Sequence, residues 1–246
     1  MPKPQNIELS DGTHIPILYE DRAVMAIDKP AGWMLVPYNW DRTSLNLPLA
    51  IASSMLARDF WARARNLKYL RHVHRLDADT SGVLLMAKSS GALHSFGRLF
   101  ESRQMEKRYL AVVEPVPKEK VWSCRLKIAP DPKQIGRMKL DSRHGKEAET
   151  HFRVLQVAGP AALVEARPVT GRTHQIRIHL AAAGYPVMDD SLYGSTRNRA
   201  ENHELALRAM LLAYRDPFTK RPVRIEAPVE TFLRRYGFEF TPQRAV

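Results

Sequence analysis

The sequence predicts a globular domain of mixed α and β structure, and three observations support this. Short apolar runs rich in β-branched residues, most distinctly Val83 to Ala87, indicate buried strands. Between such runs lie segments such as 89–103, whose apolar residues recur at helical spacing. With 246 residues, 44% of them apolar, the chain is long enough to bury a substantial core. We therefore expect one domain over residues 15–246, in up to two lobes, with residues 1–14 as an ordered edge or a tail.

The first half of the chain alternates strand and helix signals. The predicted elements are, in order, a strand pair within 17–28, a helix over 44–66, a strand over 83–87, a helix over 89–103 capped by Ser89 or Ser90, and a strand over 106–113. Residues 28–32 contain Pro30 and Gly32, which interrupt regular structure. In the segment 44–66, Arg58, Arg63 and Arg65 are expected on an exposed basic side of the helix.

The second half is richer in strand signals. Its predicted elements are a strand over 121–128, strands at 148–155 and 161–166 joined at Gly159–Pro160, a helix ending at Gly184, a strand pair at 205–215 and 222–226, and a closing helix at 230–236. Residues 129–145 carry several Lys and Arg side chains among Pro and Gly. This segment is either a mobile arm that contacts RNA or a solvated hairpin tip.

The charge balance is strongly positive. Lys and Arg number 38 against 26 Asp and Glu, a formal net charge of +12, and the positive residues are spread along the whole chain. Such a field attracts polyanions at long range and weakens with salt. We therefore expect a folded surface that receives a nucleic acid, although charge alone leaves open a basic protein with no such partner.

Several functional classes are disfavoured by composition. No apolar run is long enough to cross a bilayer, and the N-terminus lacks a signal-peptide pattern. Cys124 is the single cysteine, which excludes an internal disulfide and fits a reducing, cytoplasmic location. His and Cys do not cluster at metal-ligand spacing, so no metal site is assigned.

Polar and charged groups are concentrated immediately before the predicted strand at 83–87. The stretch 73–82 contains His74, Arg75, Asp77 and Asp79 and ends in Gly82. Burying a charge costs several kcal/mol unless it is paired, so these groups require partners elsewhere in the chain. We expect the chemistry of the protein at this stretch.

Three motifs together resemble the RluA-type family of RNA pseudouridine synthases. They are His74-Arg75-Leu76-Asp77-Ala78-Asp79-Thr80-Ser81-Gly82, then Lys107-Arg108-Tyr109, then Gly171-Arg172-Thr173-His174-Gln175-Ile176-Arg177-Ile178-His179 with the following Asp190-Ser191-Leu192-Tyr193-Gly194. Each alone could arise by chance, whereas their order and separations form a specific signal. The similarity extends from Asp28-Lys29-Pro30 to the C-terminal strands.

The resemblance implies a role for each motif. Asp77 is similar to the family's catalytic aspartate, and Arg75 to the arginine that takes the place of the flipped base. Tyr109 resembles the tyrosine that packs against the flipped uracil, and Arg177 the basic residue that pairs with the aspartate and keeps it ionised. The motifs also contribute further candidate RNA contacts: Lys29, His74, Lys107, Arg172 and His174.

The fold implied by the resemblance is α+β, a largely antiparallel central sheet with flanking helices and a central catalytic cleft. The reaction implied is the isomerisation of a uridine in a ribosomal or transfer RNA loop by a monomer that needs neither cofactor nor metal. Two positions depart from the family pattern: Trp33 follows Gly32 where many relatives have histidine, and Asp189 stands where many have glycine. Since the Lys-Pro motif starts at residue 29, we expect no separate N-terminal RNA-binding domain.

Two other functional classes remain open. One is a non-catalytic RNA-binding protein on the same fold, which retention of Asp77 argues against. The other is a metal-dependent RNA hydrolase that uses Asp77, Asp79 and nearby histidines, which a chelator would inhibit. We interpret His74, His174 and His179 as hydrogen-bonded scaffolding, because no carboxylate–histidine metal pattern accompanies them.

Overall fold

A computed structural model describes residues 3–36, 45–194 and 204–239. The chain forms two compact units. The first comprises residues 1–106 and 211–227, and the second comprises residues 107–210 and 228–246. The expectation of one catalytic domain over 15–246 allowed for two lobes and stays a prediction. None of the helices in the described ranges combines the length and apolar character needed to cross a membrane.

The first unit is built on antiparallel strands. They are β1 (Asn6–Glu8), β2 (His14–Glu20), β3 (Val24–Lys29), β4 (Arg71–His72), β5 (Ser81–Ala87), residues 211–215 of β12 (Leu207–Arg215), and β13 (Pro222–Glu226). β3 pairs with β2 and β5, β4 pairs with β5, and β12 pairs with β13. The predicted strand pair at 17–28 is confirmed. At its turn, Asp21 Oδ1 accepts the N–H groups of Ala23 and Val24 at 2.7 and 2.8 Å.

The helices of the first unit are α1 (Leu47–Leu56), α2 (Phe60–Arg63) and α3 (Ser90–Glu101). The prediction of one helix over 44–66 is wrong: the chain leaves helical geometry at Arg58, whose φ is +61°, and residue 44 lies outside the described ranges. Arg65 was expected on an exposed side, yet its side chain is 3% exposed because it is bonded to Glu20. α3 is confirmed, with Ser89 Oγ accepting the Ala92 N–H at 3.1 Å.

α3 packs on the sheet of the first unit through a continuous apolar core. Val24, Val83, Leu85, Phe96 and Tyr214 belong to this cluster and are at most 5% exposed. The predicted strand at 83–87 is therefore confirmed as a buried central element. Because β5 is buried and paired with β3 and β4, the polar segment 73–80 that precedes it has a rigid end point.

The second unit is also built on antiparallel strands. They are β6 (Glu106–Val113), β7 (Val121–Cys124), β8 (Ile128–Pro130), β9 (Met138–Leu140), β10 (Thr150–Ala158), β11 (Ala161–Pro168), and residues 207–210 of β12. The strand order β6-β11-β10-β7 confirms the predicted pair across Gly159–Pro160. The strand predicted over 121–128 is wrong in extent, since it divides into β7 and β8. β8 and β9 pair, so residues 128–140, which include most of the basic segment 129–145, form a hairpin.

Within the described residues, the helices of the second unit are α4 (Gln175–Ala182) and α5 (Glu230–Arg235). Gly184 ends the α4 segment with φ +85°, as predicted. One apolar face was expected for α4, but residues 175–180 are all buried. Ile176 and Leu180 face the larger core and Ile178 a smaller cluster with Ile128 and Ala148, so α4 is enclosed by apolar groups on more than one side. The fold class, α+β with mostly antiparallel strands, is as expected.

Candidate active site

The segment 73–80 of the first unit is anchored by a buried lysine. β3 continues to Lys29, which lies opposite Gly82 of β5, so the strand runs further than the predicted break at 28–32. The Lys29 side chain is fully buried, and its Nζ donates to the carbonyl oxygens of Pro30, Ala78 and Thr80 at 2.9, 2.7 and 3.0 Å. Three acceptors match the three protons of an ammonium group, so Lys29 fixes the backbone around Asp77.

The burial of Lys29 argues against the predicted contact with RNA, which stays a prediction. A fully buried Nζ bonded to three carbonyls cannot reach a phosphate without abandoning the loop it holds. Burial lowers the pKa of Lys29 to about 8, while the charges of Asp79 and Asp77 act in the opposite direction. Lys29 is therefore a positioning residue for the loop.

The charged side chains of the loop remain at least partly accessible. Arg75 and Asp79 are exposed and Asp77 is half-buried, whereas Leu76 between them is buried. The Thr80 N–H donates to the Asp77 carbonyl at 3.2 Å, which closes a turn directly after the carboxylate. The loop thus combines a fixed backbone with accessible charged groups.

His74 is part of the scaffold of this loop. Its Nε2 accepts the Leu85 N–H at 3.1 Å, and its ring stacks on Phe100 with centroids 4.6 Å apart. An accepting Nε2 carries no proton, so in this arrangement any ring proton lies on Nδ1. The interpretation of His74 as hydrogen-bonded scaffolding is confirmed, while its contact with RNA stays a prediction.

In the second unit, Arg177 of α4 forms a buried bidentate ion pair with Asp190. Nε and Nη2 of Arg177 donate to Oδ2 and Oδ1 of Asp190 at 2.8 and 2.7 Å. The two side chains are 2% and 0% exposed. Parallel N–H···O bonds fix the guanidinium plane as well as its position. Arg177 is therefore immobilised by a carboxylate thirteen residues downstream.

Asp190 is satisfied from both sides. Its Oδ1 also accepts the N–H groups of Leu192 and Tyr193 at 2.9 and 3.0 Å. Burial alone would raise the pKa of Asp190, but the hydrogen bond and charge of Arg177, with these two amides, outweigh it and lower the pKa. Gly194 closes the turn where a Cβ would lie 2.4 Å from the Asp190 carbonyl oxygen, so only glycine fits.

Tyr193 connects Arg177 to the β8–β9 hairpin. Its hydroxyl accepts the Met138 N–H at 2.9 Å, donates to the Met138 carbonyl at 3.2 Å, and lies 2.9 Å from Nδ1 of His174. The guanidinium carbons of Arg177 and Arg137 each lie 5.4 Å from the centre of its ring. This arrangement supports a scaffolding role for His174, whose φ of +56° precedes α4.

The other predicted site residues of the second unit lie on or near its sheet. Tyr109 of β6 is half-buried and packs against the larger core. Lys107 donates to the Thr170 carbonyl at 3.1 Å, and Arg172 Nε donates to the Glu147 carbonyl at 2.9 Å. All three keep part of their surface accessible. Their contacts with substrate stay predictions.

The structure groups the predicted residues by unit. Asp77, Arg75, His74 and Lys29 belong to the first, and the remaining five belong to the second: Lys107, Tyr109, Arg172, His174 and Arg177. The predicted pairing of Arg177 with Asp77 stays a prediction. Residues that the sequence reasoning did not assign are Asp190 and Tyr193. The signal for them was present, because both belong to the 190–194 motif.

His179 of α4 is a buried structural residue. His179 is fully buried, with Nε2 2.9 Å from the Leu126 carbonyl and Nδ1 3.0 Å from Thr150 Oγ1. Burial lowers the pKa of His179, although the bond to Leu126 acts in the opposite direction. A neutral ring that donates through Nε2 satisfies both contacts, which confirms the scaffolding interpretation.

Comparisons with known proteins extend over most of the chain. The sequence pattern of the RNA pseudouridylate synthase family matches residues 23–182. The chain is 36% identical over 227 residues to the ribosomal large subunit pseudouridine synthase C of Escherichia coli (strain K12), covering 89% of this chain and 68% of that protein. It is 33% identical over 230 residues to the protein of the same name from Buchnera aphidicola subsp. Schizaphis graminum, covering 89% and 69%.

Solved structures give the same result. Human RNA Pseudouridylate Synthase Domain Containing 1 superimposes with a TM-score of 0.69 at 26% identity, covering 87% of this chain and 83% of that one. Human RNA Pseudouridylate Synthase Domain Containing 4 gives a TM-score of 0.69 at 25% identity, covering 86% and 87%.

Proposed function

Because the chain belongs to the RNA pseudouridylate synthase family it is an RNA pseudouridine synthase, and we propose that its substrate is a specific uridine of ribosomal large-subunit RNA. Membership in the family confirms the resemblance drawn from the motifs and disfavours the non-catalytic alternative. The 36% identity over 227 residues to an enzyme named for the large ribosomal subunit carries the proposal of substrate. We also propose that the enzyme acts as a cytoplasmic monomer without cofactor or metal.

Asp77 is the proposed catalytic carboxylate. Its side chain is half-buried within the loop 73–80, and Lys29 holds the backbone of the residues that follow it, at Ala78 and Thr80. Such an arrangement leaves the carboxylate accessible to a base while restricting where it can move. Carboxylates serve as covalent nucleophiles in glycosidic chemistry, so the residue type fits the reaction.

The reaction exchanges one bond to the ribose for another. The glycosidic bond from the ribose to a ring nitrogen of uracil breaks, and a bond to a ring carbon forms. That carbon loses a hydrogen and the nitrogen gains one, so no atom or electron is gained or lost overall. The enzyme therefore requires positioning, a carboxylate and proton transfer, and no redox partner.

The target uridine must leave its stack before it reacts. Base flipping costs on the order of a few kcal/mol and least for bases in loops. Arg75 is exposed two residues from Asp77, and we propose that it occupies the space left by the base. Tyr109 supplies an aromatic face, and aromatic stacking is a common way of holding an unstacked base.

Arg177 is the proposed electrostatic partner of the reaction. Its guanidinium is rigid before substrate arrives, because Asp190 holds it through two bonds. A preorganised charge stabilises a developing anion without reorganising during the reaction. Removing it should therefore lower turnover more than RNA affinity.

Asp77→Asn tests the assignment with little change of shape. We expect pseudouridine formation on large-subunit ribosomal RNA to fall by roughly 10³-fold or more, while RNA binding persists. The measurement is site-resolved pseudouridine mapping in RNA from cells that carry the wild type, the variant or no enzyme. A position lost in transfer RNA instead would redirect the substrate proposal.

Asp79→Asn is the matched control, because it removes the same charge from an exposed residue of the same loop. We expect its turnover to have the same order of magnitude as that of the wild type. An active Asp77→Asn variant would contradict the assignment. Activity that survives EDTA would exclude the metal-dependent hydrolase.

A further inference from the structure

The first unit contains a basic pocket whose lining includes none of the proposed catalytic residues. It encloses about 800 Å³ and is lined by residues from the N-terminal segment, the β2–β3 turn and the segment 65–69. Five of its side chains are Lys or Arg: Lys3, Arg22, Arg65, Lys68 and Lys88. Two are acidic, Glu20 and Asp21, so the formal charge of the lining is 5 − 2 = +3.

Two of the five cations form the floor of the pocket and are occupied by protein groups. Arg65 donates to Glu20 Oε2 at 2.8 Å, to the Trp61 carbonyl at 3.0 Å and to the Pro4 carbonyl at 2.6 Å. Lys88 donates to Glu20 Oε1 and to the Asp21 carbonyl. The floor is therefore a fixed network rather than a set of mobile surface charges.

The two carboxylates are committed to the same network. Burial would raise the pKa of Glu20, but the hydrogen bonds and charges of Lys88 and Arg65 lower it, so Glu20 stays ionised and neutralised within the floor. Asp21 accepts two backbone N–H groups through Oδ1 and the Tyr19 hydroxyl through Oδ2, at 3.0 Å for the latter. Neither carboxylate is directed at an incoming ligand.

The rim carries the charge that a ligand would meet. Lys3, Arg22 and Lys68 are exposed. Lys3 lies 3.9 Å from Glu20, at the limit of an ion pair, and in the part of the chain that the structure describes Arg22 and Lys68 have no carboxylate within that limit. Three exposed cations around a concave surface attract a ligand with several negative charges.

An aromatic group lies beside these cations. Tyr69 lines the pocket, and the guanidinium carbon of Arg71 lies 5.7 Å from the centre of its ring. Alternating cations and aromatic faces are typical of surfaces that bind single-stranded nucleic acid, where bases stack and phosphates pair. The wall 65–69 also leads within four residues to the loop 73–80 that carries Asp77.

We propose that this pocket binds the phosphate backbone of the substrate RNA outside the target nucleotide, through Lys3, Arg22 and Lys68. The inference rests on the proposed function for its choice of RNA. A plot of log K against log salt has a negative slope. Each phosphate contact makes that slope steeper, by about 0.7 for a single strand and about 0.9 for a duplex. The pocket therefore contributes affinity and salt dependence, and leaves the chemical step unchanged.

The test compares two variants with the same change of charge. Arg22→Gln/Lys68→Gln alters the rim, and Lys118→Gln/Lys120→Gln alters two exposed lysines of the second unit that flank Glu119. The probe is protein-free large-subunit ribosomal RNA from cells that lack the enzyme. Affinity is measured between 50 and 200 mM salt, the range over which phosphate contacts change binding strongly, and kcat and KM come from pseudouridine formation.

For the rim variant we expect binding to weaken roughly tenfold near physiological salt and the salt slope to become shallower by about 1.4, for two lost contacts. KM rises while kcat at saturating RNA is unchanged. The control variant changes neither. An unchanged slope in the rim variant, or an equal change in both, would overturn the proposal.

The two proposals fail separately. If the wild type forms no pseudouridine on this RNA but the rim variant shows the shallower slope, the substrate is wrong and the pocket stands. If pseudouridine forms normally and the slope is unchanged, the pocket is wrong and the substrate stands. Matched thermal unfolding of all variants excludes a loss of fold as the cause.

Discussion

The two regions that carry the candidate catalytic groups are anchored in opposite ways. In the loop 73–80, a buried cation holds backbone carbonyls, while Arg75 and Asp79 are exposed and Asp77 is half-buried. At Arg177, a buried carboxylate holds the functional side chain itself. The first region restrains the backbone from which the Asp77 side chain extends. The second restrains the guanidinium of Arg177 itself.

The difference fits the roles proposed for the two groups. A carboxylate that meets a flipped base would need access, which agrees with a restraint on its backbone alone. A guanidinium that supplies charge gains most when it does not reorganise, so its plane is fixed. The price is a charge pair without contact to water, and such a pair is destabilising when either partner is lost.

The largest expected effect is on the buried pair. Asp190→Ala leaves Arg177 buried without its carboxylate and should lower the free energy of unfolding by about 3–5 kcal/mol. The control is Glu226→Ala. Glu226 pairs with Arg224, and their side chains are 57% and 54% exposed. That exposed pair should contribute about 0–1 kcal/mol. Chemical denaturation measures both, and equal losses would contradict the proposed role of burial.

The double variant Arg177→Met/Asp190→Leu separates stability from function. Replacing both partners by apolar groups removes the unpaired charge, so stability should return close to the wild type. Pseudouridine formation should remain lost, because the guanidinium is absent. A stable and fully active double variant would remove Arg177 from the catalytic set.

The next effect concerns Lys29 and depends on pH. Lys29→Met deprives three carbonyls of their donor, and an unsatisfied buried group costs about 1–3 kcal/mol. The pKa of about 8 in the folded protein lies below the ordinary value of 10.5. Between these values the unfolded chain holds a proton that the folded chain has released, so the stability of the wild type relative to Lys29→Met should rise with pH by up to about 3 kcal/mol.

At Asp190 stability also rises with pH, but over an acidic range and for a different reason, because Arg177 favours the charged carboxylate whereas burial disfavours the charged Lys29. The folded pKa of Asp190 is below the ordinary 3.8, so its stabilising contribution is present above that value and is lost as pH falls through the folded pKa. Denaturation of wild type and Lys29→Met at pH 8 and above tests the first anchor. A difference that is constant with pH would show that Lys29 does not titrate as proposed.

The smallest expected effect is at Tyr193. Tyr193→Phe removes the hydroxyl that bonds Met138 and His174 but keeps the ring beside Arg177, so stability should fall by about 1 kcal/mol. Hydrogen exchange of the Met138 amide should accelerate. Tyr19→Phe, which removes one bond to Asp21, is the control and should leave that amide unchanged. Unaltered exchange in Tyr193→Phe would mean that the hairpin is held by other contacts.

Local pattern predicted the elements whose surroundings are simple. The strand at 83–87 was evident because β-branched and apolar residues follow one another without interruption, and α3 was evident from its serine cap and apolar stripe. The prediction of one helix over 44–66 was wrong because the spacing of its apolar residues does not indicate the left-handed backbone at Arg58. Apolar periodicity indicates which face of a helix is buried, but it does not indicate where the helix ends.

The candidate site was predicted by residue type and motif, but the contacts of its charged groups were not. Lys29 was taken for an RNA contact because Pro and Gly follow it, yet pairing with Gly82 of β5 buries it beneath the loop. Asp190 was noted only as part of a motif. Its role became evident once α4 and the 190–194 turn were seen to bring it onto Arg177.

By itself, the sequence determined the family, the chemistry and the order of the elements, since these depend on residue types and on spacing along the chain. The tertiary structure alone decided which cations are buried, which carboxylate each one meets, and which remain on the rim of a pocket. Register and packing between distant segments control the burial of a charge. Burial of a charge sets both the strength of its interactions and its pKa, so the same residue type is a buried anchor at Lys29 and an exposed side chain at Lys68.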